Sequence, residues 1–193
     1  MNLRWIEYAW LKSQALVLTM LGLRHRALEK FRLMAGLYPD NRYVLASLAH
    51  GLAESGDKAA AVEVLQKLAA RSPDSAVAWF NLGFVLEETS RYDEAEAAFR
   101  RALAIAPDMD RAWYGLGLIL IRQRRFDEAV TALKRNTELQ PLSPYGWYQL
   151  ARVHVDRHEP DEAVAVIRHL RGFEPKIAEQ LERETGLRAA SAA

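Results

Sequence analysis

A period of 34 residues constrains this chain more than any other feature. Ala27, Ala61, Ala95, Ala129 and Ala163 fall in one phase of it, and Pro39, Pro73, Pro107, Pro141 and Pro175 in another. Five of the seven prolines share that register, which marks an internal repeat. The stretch from Ala76 to Met109 shows the unit most clearly: two amphipathic helices, a turn at Glu88 to Arg91 and a proline stop at Pro107. Units of this size bury their apolar faces against one another, so the expected architecture is an all-α solenoid.

Five repeats follow without insertion, at residues 8–41, 42–75, 76–109, 110–143 and 144–177. The third holds Trp79, Leu82, Gly83, Leu86, Tyr92, Ala95, Phe99 and Pro107 in the recurring slots. The small Gly83 and Ala95 let the paired helices approach closely, and Trp79, Leu82, Leu86 and Phe99 are expected to fill the space around that contact. The first repeat diverges most, with Leu11 in the tryptophan slot and Gln14 in a leucine slot. Asn136 takes an alanine slot and is expected to make an interhelical hydrogen bond; Pro160 is expected to open its helix at the first turn. Residues 1–7 extend the first helix backwards, and Trp5 and Trp10 are expected to cover the open end. A capping helix is expected at 176–187, with Ile177 and Leu181 facing inward, and residues 188–193 form a frayed tail. Residues 1–187 make a single domain on this count.

Trp79-x2-Leu82-Gly83 with Ala95-x3-Phe99 and Pro107 closely resembles the pattern of the tetratricopeptide repeat family, and the resemblance covers Tyr8 to Ile177. It implies a right-handed superhelix of five helix–turn–helix repeats, with the first helix of each repeat lining a concave inner face.

That face carries the functional signal. At 100° per residue, Val77, Phe80, Phe84 and Glu87 lie opposite the core slots of their helix. The twenty equivalent positions in the five repeats include fourteen apolar or aromatic residues, and six are Tyr or Phe in a chain that is 9% aromatic. A helix that only needed to fold would be polar there. An apolar stripe of this kind calls for a covering partner, and a peptide or amphipathic helix of another protein suits it. The candidate partner-binding residues are Tyr43, His50, Phe80, Asn81, Phe84, Arg111, Tyr114, Leu118, Tyr145, Tyr148 and Arg152. The bland alternative is internal packing of the same stripe. One family subtype, the carboxylate clamp for acidic chaperone tails, is absent. Its slots hold Lys12, Leu16, Ser47, Val77 and Asn81, or one repeat later Ala46, His50, Asn81, Arg111 and Gly115.

Several function classes are set aside. Twenty-six basic against 25 acidic residues give a net charge of +1, which argues against a general nucleic-acid binder. The absence of cysteine removes disulfides, thiolate metal sites and cysteine nucleophiles and suits a cytoplasmic location, with a periplasmic one left open. Glu7 interrupts the basic start and no small-residue cleavage site follows the apolar run at 15–18, so a signal peptide is not expected. His154 and His158 lie one turn apart but lack the glutamate that follows the first histidine in a metalloprotease helix, and His154 takes a core slot, so no metal is expected there. Glu87, Glu88, Asp93 and Glu94 flank a turn and a helix start, where negative charge suits the helix dipole. No phosphate loop or nucleophile elbow is present, so neither an enzyme nor a cofactor is expected. The favoured function is a non-enzymatic adaptor. Its rivals are a secretion-type chaperone for apolar segments of exported proteins, a scaffold that self-associates through the Trp5/Trp10 end, and an accessory domain of a longer enzyme.

Overall fold

In the computed structural model, which describes residues 3–189, those residues form eleven α-helices and no strand. The chain divides into two compact units, Met1–Ile105 and Ala106–Ala193. The first contains α1 (Leu3–Met20), α2 (Arg24–Leu37), α3 (Arg42–Glu54), α4 (Lys58–Arg71), α5 (Ala76–Glu88) and α6 (Tyr92–Ile105). These pair as three antiparallel hairpins, with α2 packed on α3 and α4 on α5. The second contains α7 (Asp110–Arg122), α8 (Phe126–Leu139), α9 (Pro144–Asp156), α10 (Pro160–Arg171) and α11 (Pro175–Thr185). There α8 packs on α9, and α11 closes against both α9 and α10. None of the described helices is long and apolar enough to cross a membrane.

The alanine slot is the centre of each hairpin: Ala27 is 4% exposed, and Ala61, Ala95, Ala129 and Ala163 are fully enclosed. The glycines opposite explain how the helices come so close. A Cβ on Gly83 would stand 2.9 Å from the Phe99 ring, and one on Gly117 would stand 2.8 Å from Leu133. Asn136 is buried and its amide Nδ2 donates to the Asp110 carbonyl at 2.9 Å, the interhelical bond its position called for. It also faces Gly146, where a Cβ would lie 2.1 Å from Asn136 Oδ1. Pro160 takes the first turn of α10, as expected.

The tryptophans do something else. Trp79, Trp113 and Trp147 are only half-buried and do not fill the hairpin centre. Each indole Nε1 donates to the carbonyl of the proline six residues before it: Trp79 to Pro73 at 3.0 Å, Trp113 to Pro107 at 2.8 Å and Trp147 to Pro141 at 2.9 Å. The two periodic residues thus form one clasp, which fixes the loop leading into a repeat against that repeat's first helix and satisfies a carbonyl no helix can use.

The turn within each hairpin is also shared. Leu23, Asp57, Arg91, Arg125 and Glu159 each return an amide to a carbonyl five residues back, at 2.9–3.0 Å. This closure needs a left-handed residue just before the returning amide. Gly22 and Gly56 supply it at φ +73° and +88°, whereas Ser90, Arg124 and His158 are held at φ 59–60° despite their Cβ atoms.

At the carboxyl end Leu181 is buried and Ile177 half-buried beneath α11, while Lys176, Glu179 and Arg183 face solvent. Ala189 is not loose: it is 3% exposed and its amide donates to Glu182 Oε1 at 2.7 Å. The remainder of the expected tail, residues 190–193, lies outside the described residues.

Candidate functional site

None of the twenty first-helix positions singled out by helical geometry is buried. The core slots of the same helices, Leu82 and Leu86 in α5 or Leu116 and Leu120 in α7, are at most 5% exposed. The helices are therefore apolar on both sides but enclosed on one.

In the first unit the face has definite relief. Val77 is 55% exposed and Phe84 49%, with the Phe80 ring 6.5 Å from that of Phe84 and 5.9 Å from the core ring of Phe99. Phe80 thus ties the open aromatic surface to the packed interior. His50, Asn81 and Phe84 come together around a hollow of about 130 Å³ between α3 and α5. Its floor is set by Ala46, Ala49 and Ala53, which recede where larger side chains would close the space. A second hollow of about 180 Å³ lies between α1 and α3, with Tyr43 and Ser47 on one side and Leu16 and Phe31 on the other. Tyr43 is fixed edge-on to Phe31 at 6.4 Å, and Lys12 Nζ sits 4.2 Å from its ring centre. His50 lines both hollows and stands 3.6 Å from Glu54 through Nε2. The small-residue floor was not singled out from sequence, although Ala46, Ala49 and Ala53 at helical spacing carry the signal for it.

In the second unit the face is partly closed. On α7, Arg111 is exposed while Tyr114 and Leu118 are half-buried; on α9, Tyr145 is 69% exposed. Tyr148 and Arg152, however, are engaged by the last helix. The Tyr148 hydroxyl donates to Glu184 Oε2 at 2.6 Å and accepts from Arg152 at 3.2 Å, and the Arg152 guanidinium lies 3.6 Å from the same carboxylate. The Tyr148 hydrogen bond, followed by one from Gln180, holds the Glu184 carboxyl below the ordinary glutamate range. Arg152 is held above its ordinary value, first by its bond to Tyr148.

The histidine pair does not form a ligand set. His154 is buried in α9 with Nδ1 2.8 Å from Glu159 Oε2, and His158 lies beyond the helix in the left-handed turn. That hydrogen bond is the main cause that holds Glu159 below the ordinary glutamate range, with Arg157 adding to it. Asp93 and Glu94 occupy the first turn of α6, where Glu94 receives two bonds from Arg91 at 2.6–2.7 Å.

Models of the tetratricopeptide repeat match residues 47–110 and 86–147, together more than half of the chain. The chain belongs to the tetratricopeptide repeat family. Solved structures agree on the fold. MamA from Desulfovibrio magneticus RS-1 superposes with a TM-score of 0.77 at 23% identity, over 91% of this chain and 95% of that one. YrrB, a tetratricopeptide protein with an unusual peptide-binding site, gives 0.76 at 16% identity over 88% of each chain. A thermophilic tetratricopeptide protein in Thermus thermophilus gives 0.61 at 20%, over 90% of this chain and 94% of that one. No curated protein matches the chain by sequence. Members of the family mediate protein–protein interaction and are generally non-catalytic.

Proposed function

We propose that this protein is a non-enzymatic adaptor whose first-helix faces bind an apolar or aromatic peptide, or an amphipathic helix, of another protein. The observation that carries this is the exposure of Val77, Phe84 and Tyr145, at 55%, 49% and 69%, on helices whose opposite sides are enclosed. Apolar rings left in water beside hollows of side-chain size are what a peptide-binding surface presents. The likeness to YrrB, which has a peptide-binding site, supports the same reading.

In the first unit the hollow floored by Ala46, Ala49 and Ala53 would take a bulky apolar side chain, with Phe84 as its wall. Asn81 and His50 at its rim would fix the peptide backbone or a polar neighbour. In the second, Tyr145 offers apolar contact, and Arg111 would reach an acidic group on the partner.

Selection from a displayed peptide library tests the proposal. Wild type is expected to enrich peptides with two or more bulky apolar residues, and Phe84→Glu to lose them while retaining its helical circular dichroism. Enrichment that survives both Phe84→Glu and Tyr145→Glu would remove the first-helix faces as the site.

A further inference from the structure

Among the described residues, the greatest concentration of exposed apolar side chains lies on α1 and at Leu21 just after it, away from the peptide face. Ile6 is 42% exposed, Trp10 58%, Val17 52%, Met20 86% and Leu21 67%. At Trp10 and Val17 the repeat shows what a first helix normally does with these positions, whereas the slots of Ile6 and Met20 are not buried in the other repeats either. The positions equivalent to Trp10 are Val44, Ala78, Ala112 and Gly146, and all four are buried. Those equivalent to Val17 include Val85, Ile119 and Val153, each at most 5% exposed. In the first unit this is the side on which α3 receives α2 and α5 receives α4. On α1 no described helix covers it.

Two ordinary explanations fail on the residues present. A solvating cap carries polar groups outward, as α11 does with Lys176, Glu179 and Arg183, whereas α1 carries tryptophan, valine and methionine. A further repeat packed in the usual way needs a small residue in the Trp10 slot, where the other repeats have valine, alanine or glycine. The indole would hold such a helix off.

An interface between copies suits both features. Trp is the residue most enriched at the energetic centre of interfaces, and a two-fold contact needs a surface that complements itself. Beside α1 lies a hollow of about 570 Å³ lined by Ser13, Gln14, Val17 and Leu18, with Arg26, Glu29 and Lys30 of α2 on its rim. Its rim carries charges of both signs, so a second copy's rim offers each an opposite charge, and a net charge of +1 leaves little repulsion between copies. Gln14 Oε1 is shielded there without a hydrogen-bond donor, which an indole N–H entering the hollow would supply once the amide turns toward it. The exposed fractions of the apolar residues amount to roughly 500–600 Å² per copy, and with the polar rim this approaches the ~800 Å² per partner of a stable complex.

We propose that two copies of this chain form a two-fold dimer through their α1 faces, each Trp10 seated in the hollow beside Gln14 and Val17 of the other. The proposal stands apart from the peptide-binding reading, because it uses a different side of the first helices.

Light scattering on the size-separated full chain, over a hundredfold range of concentration, tests it. The wild type is expected at twice the monomer mass of 21.9 kDa, with no further growth. Trp10→Glu and Val17→Glu are expected to weaken the dimer by at least about tenfold. Both positions are more than half exposed, so helical content should not change. Phe84→Glu is expected to remain dimeric. A monomeric wild type, a dimer indifferent to both α1 substitutions, growth beyond two copies, or a dimer lost only in Phe84→Glu would each overturn the proposal.

Discussion

The third and fifth repeats present the same helical face in different states. On α5 the slots hold Val77, Phe80, Phe84 and Glu87, and Phe84 stands half in water above a hollow. On α9 they hold Tyr145, Tyr148, Arg152 and Val155, and the middle two are bonded to Glu184 of α11. Both faces are read identically from helical periodicity. What separates them is a helix that follows the last repeat and brings a carboxylate back onto it. On the fifth repeat, then, part of the first-helix face is taken up by a later element of the chain itself.

The two repeats should behave alike in their cores, and this is the largest expected effect. Phe99→Ala in the third repeat and Ile167→Ala in the fifth both truncate fully buried side chains, and each should cost about 3–5 and 2–5 kcal/mol respectively in denaturant unfolding. Two separate transitions, each shifted by only one of the substitutions, would show that the two units unfold independently.

The indole clasps come next. Trp79→Phe and Trp147→Phe each remove one donor to a proline carbonyl while keeping a ring, at about 0.5–1.5 kcal/mol apiece. No loss of stability in either variant would show that the bond is not formed in solution.

The pH response should separate the two faces. Glu184 titrates below the ordinary glutamate range in the folded protein, so its contact with Tyr148 and Arg152 contributes stability above that range. The contribution is lost as pH falls through the depressed value. Hydrogen-exchange protection in α11, taken relative to the intrinsic exchange rate at each pH, should fall on acidification, and Glu184→Gln should show much of that loss already at neutral pH. The Phe84 face should not change in parallel. Equal responses of α5 and α11 would break the comparison.

The smallest effect is a gain. Ser90 and His158 occupy the same left-handed turn slot that Gly22 and Gly56 fill without strain. Ser90→Gly and His158→Gly should each stabilise by about 0.5–1 kcal/mol, the relief of the Cβ clash less the greater freedom of glycine in the unfolded chain. A loss at His158 alone would indicate that its side chain has a role beyond the turn.

Much of the architecture was legible because a 34-residue period repeats each physical constraint five times. A small residue recurring on a core-facing side must mark a close helix contact, and Gly83, where a Cβ would stand 2.9 Å from the Phe99 ring, is one. A proline in phase must end a helix, and α6 stops at Ile105 before Pro107. The side of each first helix that stays unburied also followed from 100° per residue and the position of the leucines. Tryptophan was misread as filler, because residue size signals burial while the indole N–H signals a hydrogen bond, and only geometry says which governs. Trp5 and Trp10, expected to cover the open end, stand there 69% and 58% exposed.

By itself, then, the sequence determined the helices, their pairing and which residues share a face, since these depend on local periodicity and on neighbours 34 residues away. Tertiary structure alone decided which part of that face lies open, where the hollows fall and that Glu184 returns to Tyr148 and Arg152. These depend on contacts made once, between side chains that no repeat duplicates. A contact made once leaves no period to read.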